Sequence, residues 1–96
     1  MGATTFFTTA HGKTAEKAFD EAVQEAKYWH GNSGYTGTIA EKDGFKKVPV
    51  PDGVNPYDHA MKLILEDENT KFDKWGPAGC IELSEETFLF FGWSPE

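Results

Sequence analysis

The sequence predicts a single α+β domain in which two helices pack on an antiparallel or mixed sheet. Three observations lead to this prediction: a start rich in β-branched and aromatic residues, two segments with helical periodicity, and two strand-like apolar runs near the end. The 96 residues are enough for one hydrophobic core, so residues 1–96 are treated as one domain. The predicted order of elements is β-α-β-(β)-α-β-β, with one optional strand.

The first strand is predicted over residues 3–10 and the first helix over residues 13–30. Thr14 is the predicted N-cap of this helix, since its hydroxyl can accept from backbone N–H groups of the first turn. Apolar residues recur at intervals of three and four, and we expect them to be buried against the sheet. They are Ala15, Ala18, Phe19, Ala22, Val23, Ala26 and Trp29.

A second strand is predicted over residues 35–42, and residues 45–50 form either its extension or a third strand. The second helix begins with Asn55 as N-cap and Pro56 in the first position, and extends to about Glu68. The residues of this helix that we expect to be buried are Tyr57, Ala60, Met61, Ile64 and Leu65.

The last two strands, predicted over 78–83 and 87–93, form a hairpin. Alternation along the final strand makes both of its faces apolar, with Leu89 and Phe91 on one face and Phe88 and Phe90 on the other. Because monomers rarely expose a large apolar patch, either one helix covers each face or a second copy of the chain does. We expect a homo-oligomer, with two-fold symmetry as the default.

The chain is acidic, with nine basic and sixteen acidic residues and a net charge of −7. This balance disfavours binding to a phosphate backbone, but a negative surface can repel or imitate nucleic acid. Every basic residue is a lysine, so bidentate arginine clamps are not available. The single cysteine, Cys80, excludes an internal disulfide, and there is no signal peptide, long apolar run or lipidation motif. We therefore expect a cytoplasmic protein without direct nucleic-acid or membrane partners.

No reaction signature is present, so the sequence indicates no catalytic residue, and enzymatic activity is not the favoured interpretation. No cofactor or metal is predicted, because the histidines and the cysteine lack ligand spacing. The segment His11-Gly12-Lys13-Thr14 lies between a strand and a helix but lacks the earlier glycine of a phosphate-binding loop, whose place Phe7 takes. An anion site at this helix start and an ordinary capped start both stay open.

Three glycines, Gly31, Gly34 and Gly37, follow the first helix at intervals of three. One interpretation is a helix C-cap and a turn; the other adds a ligand that approaches the exposed amides. Aromatic residues that lie near the ends of the predicted elements, together with nearby lysines, favour a nucleotide-like ligand, with Tyr35 and Trp75 stacking on its base. Thr36, Gly37 and Thr38 offer donors, and Lys42 or Lys46 meets the phosphate. The predicted ligand-binding residues are Tyr35, Thr36, Gly37, Thr38, Lys42, Lys46 and Trp75.

Four segments, 18–22, 34–42, 74–81 and 90–93, resemble small uncharacterised proteins of tailed phages and prophages. The most distinctive part is the Gly-Tyr-x-Gly-Thr-Ile run that follows an alanine-rich helix, and the resemblance spans most of the chain. The resemblance implies an accessory phage protein that acts on host physiology or host defence. It brings no assigned activity and no functional residues.

Two functions from different classes follow. The first is a non-enzymatic, phage-type host-takeover or anti-defence protein that sequesters a small nucleotide-derived ligand at a subunit interface. The alternative is an acidic inhibitor that blocks a host nucleic-acid enzyme by imitating the charge of DNA. The alternative depends on the acidic outer face of the first helix, which carries Glu16, Asp20, Glu21 and Glu25.

Overall fold

The computed structural model describes residues 3–30, 38–66 and 77–95. The order of elements agrees with the prediction, and the α+β class is confirmed. The elements are β1 (Ala3–His11), α1 (Ala15–His30), a 3₁₀ helix (Ile39–Glu41), β2 (Phe45–Lys47), α2 (Pro56–Glu66), β3 (Ala78–Ser84) and β4 (Thr87–Pro95).

The four described strands form one mixed sheet in the order β1-β4-β3-β2. β1 is antiparallel to β4 without interruption, from Ala3 opposite Pro95 to His11 opposite Thr87. β3 and β4 form the predicted hairpin, and β2 is parallel to β3. The nine-residue β1 and the three-residue β2 are therefore the two edges of this sheet.

The two helices lie on opposite faces of the sheet. α1 covers a cluster that includes Phe88 and Phe90, whereas α2 covers a second cluster that includes Leu89 and Phe91. This confirms the alternation predicted for β4. Because each apolar face of the sheet is covered by a helix, no second copy of the chain is needed to bury either face. The homo-oligomer stays a prediction, but an exposed apolar face no longer supports it.

α1 begins as the sequence predicts. The Thr14 hydroxyl oxygen accepts from the Lys17 N–H at 3.2 Å, which satisfies one free donor of the first turn. Phe19 packs its ring between Phe45 and Phe90, with centroid distances of 5.2 and 5.5 Å. The prediction that Trp29 is buried against the sheet is wrong, because this side chain is 70% exposed. The reason is its place in the last helical turn, beside the edge strand β1 and not over the centre of the sheet.

The predicted strand over 35–42 is wrong in its described part, where Ile39–Glu41 is a 3₁₀ helix. Two interactions explain the difference. The Thr38 hydroxyl oxygen accepts from the Ala40 N–H at 3.2 Å, an alternative to ladder bonding that threonine readily offers. Ile39 is fully buried in the core under α1, so the segment closes over the sheet and does not extend it. Residues 35–37 lie outside the described residues.

α2 has the predicted N-cap, because the Asn55 side-chain oxygen accepts from the N–H groups of Tyr57 at 2.8 Å and Asp58 at 3.3 Å. Ala60 and Ile64 are buried as predicted. The same prediction is wrong for three residues that are exposed: Tyr57, Met61 and Leu65. Ala60 and Ile64 form the buried part of α2, with Leu63 partly buried beside them, because α2 packs on few sheet residues. The predicted continuation to residue 68 lies beyond the described end of α2.

Within the described residues, no helix is both long and apolar enough to cross a membrane.

Candidate functional site

A groove of about 250 Å³ lies between α1 and the edge strand β1. We call it the α1–β1 groove. Small and aliphatic side chains form its floor: Ala10, Ala22, Ala26 and Ile39. Its helical side carries Glu21, Glu25 and Trp29. The other lining residues are Thr8, Thr9, His11 and Thr38.

Helix geometry explains why these three side chains share one side of the groove. Glu21, Glu25 and Trp29 are spaced by four residues, so they lie on one flank of α1. Ala22 and Ala26 follow one residue later and face the sheet, where their small side chains allow a close approach. The groove therefore combines a shallow apolar floor with a polar and aromatic flank.

The lining of the groove is negative. Glu21 and Glu25 are both exposed, and no lysine is among the described residues that line it. His11 is at one end, where its Nδ1 lies 3.1 Å from the Thr87 hydroxyl oxygen. The exposed Trp29 ring packs edge-to-face on Tyr28, with centroids 5.3 Å apart and an interplanar angle of 89°. Carboxylates beside an indole suit a cation, because the ring face also attracts positive charge.

A second acidic hollow lies on the opposite flank of α1. Glu16 and Asp20 line it together with Asp43, and Lys47 stands at its edge. All four acidic residues of the predicted outer face are exposed. They do not form one surface, however, since Glu16 and Asp20 belong to one flank and Glu25 to the other.

The predicted nucleotide site is described only in part, because four of its residues lie outside the described residues: Tyr35, Thr36, Gly37 and Trp75. Thr38 lines the α1–β1 groove, and its carbonyl oxygen accepts from the Ser94 hydroxyl at 2.8 Å. Lys42 is only 4% exposed, and Lys46 lies exposed on the edge strand β2. Neither lysine is among the described residues that line this groove with Thr38. The nucleotide site stays a prediction.

Cys80 is a core residue. Its side chain is buried, and burial raises the pKa of the thiol to about 11, although the nearby Lys47 acts in the opposite direction. The thiol is therefore almost entirely protonated at neutral pH, and the thiolate is the nucleophilic form of cysteine. Among the described residues, no three His, Cys, Asp or Glu side chains cluster in a way that suits a metal ion.

The α1–β1 groove is not predicted from the sequence, because the three- and four-residue spacing includes Trp29 among the predicted buried residues of α1. The signal was present in the spacing of Glu21, Glu25 and Trp29, which places them on a common flank. What the spacing does not reveal is that this flank borders an edge strand. That follows from the pairing of β1 with β4, which lies at the other end of the chain.

Comparison with known proteins adds no further guide: no protein-family model matches the chain, no curated protein matches its sequence and no solved structure matches its fold.

Proposed function

We propose that this chain is a non-enzymatic, phage-type accessory protein that binds the basic surface of a host nucleic-acid enzyme through α1. The observation that carries the proposal is the α1–β1 groove, where Glu21 and Glu25 stand beside the exposed ring of Trp29. Proteins that bind nucleic acid display clustered lysine and arginine, so their surfaces complement this groove.

The aliphatic and the cationic part of a lysine or arginine side chain each have a complementary surface in the groove. Its aliphatic stem can lie on the alanine floor while the cationic group meets the carboxylates and the indole face. An exposed ion pair contributes about 0.2–1 kcal/mol and an exposed cation–π contact about 0.5–1 kcal/mol. These values are too small for stable binding of one side chain. The proposed partner therefore presents several basic residues over a wider surface.

The same charges oppose an anionic ligand in this groove. A phosphate placed on the alanine floor would approach Glu21 and Glu25, and like charges repel. The geometry of the described residues thus favours the basic protein partner over the nucleotide-derived ligand. Sequestration of such a ligand remains a prediction that depends on Tyr35 and Trp75.

The test is capture of proteins from a bacterial extract on the immobilised chain, with and without duplex DNA as competitor. We expect nucleic-acid-binding proteins to be captured and duplex DNA to displace them. The variant E21Q/E25Q should lose most of this capture. The matched control is E16Q/D20Q, which removes the same charge from the same helix on the opposite flank and should retain it.

Two results contradict the proposal. Equal losses in both double variants would mean that net charge and not the groove determines capture. Capture that duplex DNA leaves unchanged would mean that the partner does not use its nucleic-acid-binding surface. In parallel, a mass spectrum of small molecules released from the heat-denatured protein tests the other function, which predicts a nucleotide derivative among them.

A further inference from the structure

Half of the backbone N–H and C=O groups of β1 point away from β4, toward the outer edge of the sheet. In an antiparallel ladder, alternate residues turn their N–H and C=O toward the partner strand. The Gly12 N–H donates to the Glu86 carbonyl at 3.0 Å, immediately beyond the His11–Thr87 pair. Even-numbered residues of β1 therefore bond to β4. The odd-numbered residues, among them Thr5, Phe7 and Thr9, turn their backbone groups outward.

Among the residues that the structure describes, β1 is a terminal strand of the sheet. No other described strand pairs with β1 on that side, and the pairing register shows no bulge. β1 also contains no charged residue and no proline. Edge strands usually carry such features because they block the addition of another strand. β1 is therefore suited to accept one.

The two faces of the sheet next to this edge carry different side chains, acidic on one face and aromatic on the other. On one face the α1–β1 groove lies above the edge, with Glu21 and Glu25 exposed. On the other face Phe7 is 39% exposed, and the Tyr57 hydroxyl lies 3.1 Å from that of Thr9. Successive side chains of an added strand would point alternately to these two faces.

We infer that the basic partner binds as an extended segment that adds a strand to β1. Its lysine or arginine side chains enter the groove at alternate positions, and apolar side chains between them pack on Phe7. In this mode, backbone hydrogen bonds supply affinity and the alternating side chains supply specificity. The inference rests on the proposed function and assigns to it the form of the bound segment.

The test uses a fluorescein-labelled peptide of nine residues in which lysine and valine alternate, with fluorescence anisotropy as the readout. The control peptide alternates glutamate and valine and should not bind. The protein variant is Thr9→Pro, which removes an outward N–H and leaves the bonds to β4 in place. Its matched control, Thr9→Val, keeps the N–H and loses the hydroxyl. We expect Thr9→Pro to weaken binding about tenfold and Thr9→Val to change it by less than about twofold.

Two N-methylated peptides test the same bonds without changing the protein. One carries the methyl groups on the lysine amides and the other on the valine amides, so each blocks one edge of an extended peptide. Strand addition predicts that only one of the two loses binding. Circular dichroism of Thr9→Pro verifies that the variant is folded.

Failure of the inference is distinct from failure of the proposed function. If E21Q/E25Q loses the lysine–valine peptide while Thr9→Pro and both methylated peptides bind normally, strand addition is overturned and the acidic groove stands. If the peptide does not bind at all, the inference is also overturned, and capture from extract decides the proposed function separately. Slow exchange of the Thr5, Phe7 and Thr9 amides in a dimer of the free protein would show a second copy on this edge, which likewise overturns it.

Discussion

The ring of Phe91 lies directly against the backbone of Gly79, so closely that a Cβ on residue 79 would be 2.3 Å from the Cζ atom of Phe91. The two residues are cross-strand partners in β3 and β4, and Phe91 is fully buried under α2. Glycine at this position is thus required by the packing of the core.

We predict that Gly79→Ala lowers the free energy of unfolding by about 2–4 kcal/mol, because the methyl group displaces a buried ring. Urea denaturation measures the change. Gly44→Ala is the matched control, since a Cβ there meets nothing within 4 Å. Adding Phe91→Leu to Gly79→Ala should cost less than the two single changes together. An unchanged denaturation midpoint for Gly79→Ala would contradict this packing.

Glu86 in the β3–β4 turn has a φ of 60°, a left-handed conformation that a side chain disfavours. We predict that Glu86→Gly raises the free energy of unfolding by about 0.5–1 kcal/mol. The comparison is Glu85→Gly, which removes the same charge from the neighbouring position. Among the described non-glycine residues only Glu86 has a positive φ, so Glu85→Gly should not stabilise. Equal effects of the two changes would assign the gain to lost charge.

We predict that ionisation of the Cys80 thiol lowers the free energy of unfolding at alkaline pH. Its pKa rises from 9.0 to about 11 in the folded chain, because burial disfavours the thiolate. Between these two values the unfolded chain releases the proton and the folded chain keeps it, so the free energy of unfolding falls as pH rises. The full difference is on the order of 2 kcal/mol. Urea denaturation from pH 8 to 11 measures it, and Cys80→Ala should show a smaller decline than the unchanged chain. Parallel declines would contradict the assignment.

We predict that the Trp29 side chain contributes to peptide binding but little to the stability of the fold. Because the ring is mostly exposed, Trp29→Ala should change the thermal midpoint very little. The same change should weaken binding of the lysine–valine peptide about threefold to tenfold, since the indole face no longer attracts the cation. Trp29→Phe, which keeps an aromatic face, should weaken it less. Unfolding of Trp29→Ala would contradict the prediction by showing that the ring supports the fold. Unchanged peptide binding would show that the ring has no role at the groove.

Much of the fold was predictable because its signals are local. Thr14 and Asn55 cap their helices through side-chain bonds to residues two or three positions away. The opposite faces of Phe90 and Leu89 follow from strand alternation, which needs no knowledge of the neighbouring strands. The Thr38 cap is local as well, yet the strand predicted over residues 35–42 is wrong in its described part, where Thr38 caps a 3₁₀ helix.

The candidate site was less predictable because it depends on contacts between distant parts of the chain. Helical spacing places Glu21, Glu25 and Trp29 on one flank, but it does not say what that flank faces. β1 becomes an edge strand because it pairs with β4, which brings His11 beside Thr87. From the residues alone came the helices, their starts and the alternating faces, since these need only near neighbours in the chain. Folding in three dimensions settled which strand lies at the rim and which side chains stay in water, because burial depends on where the sheet ends.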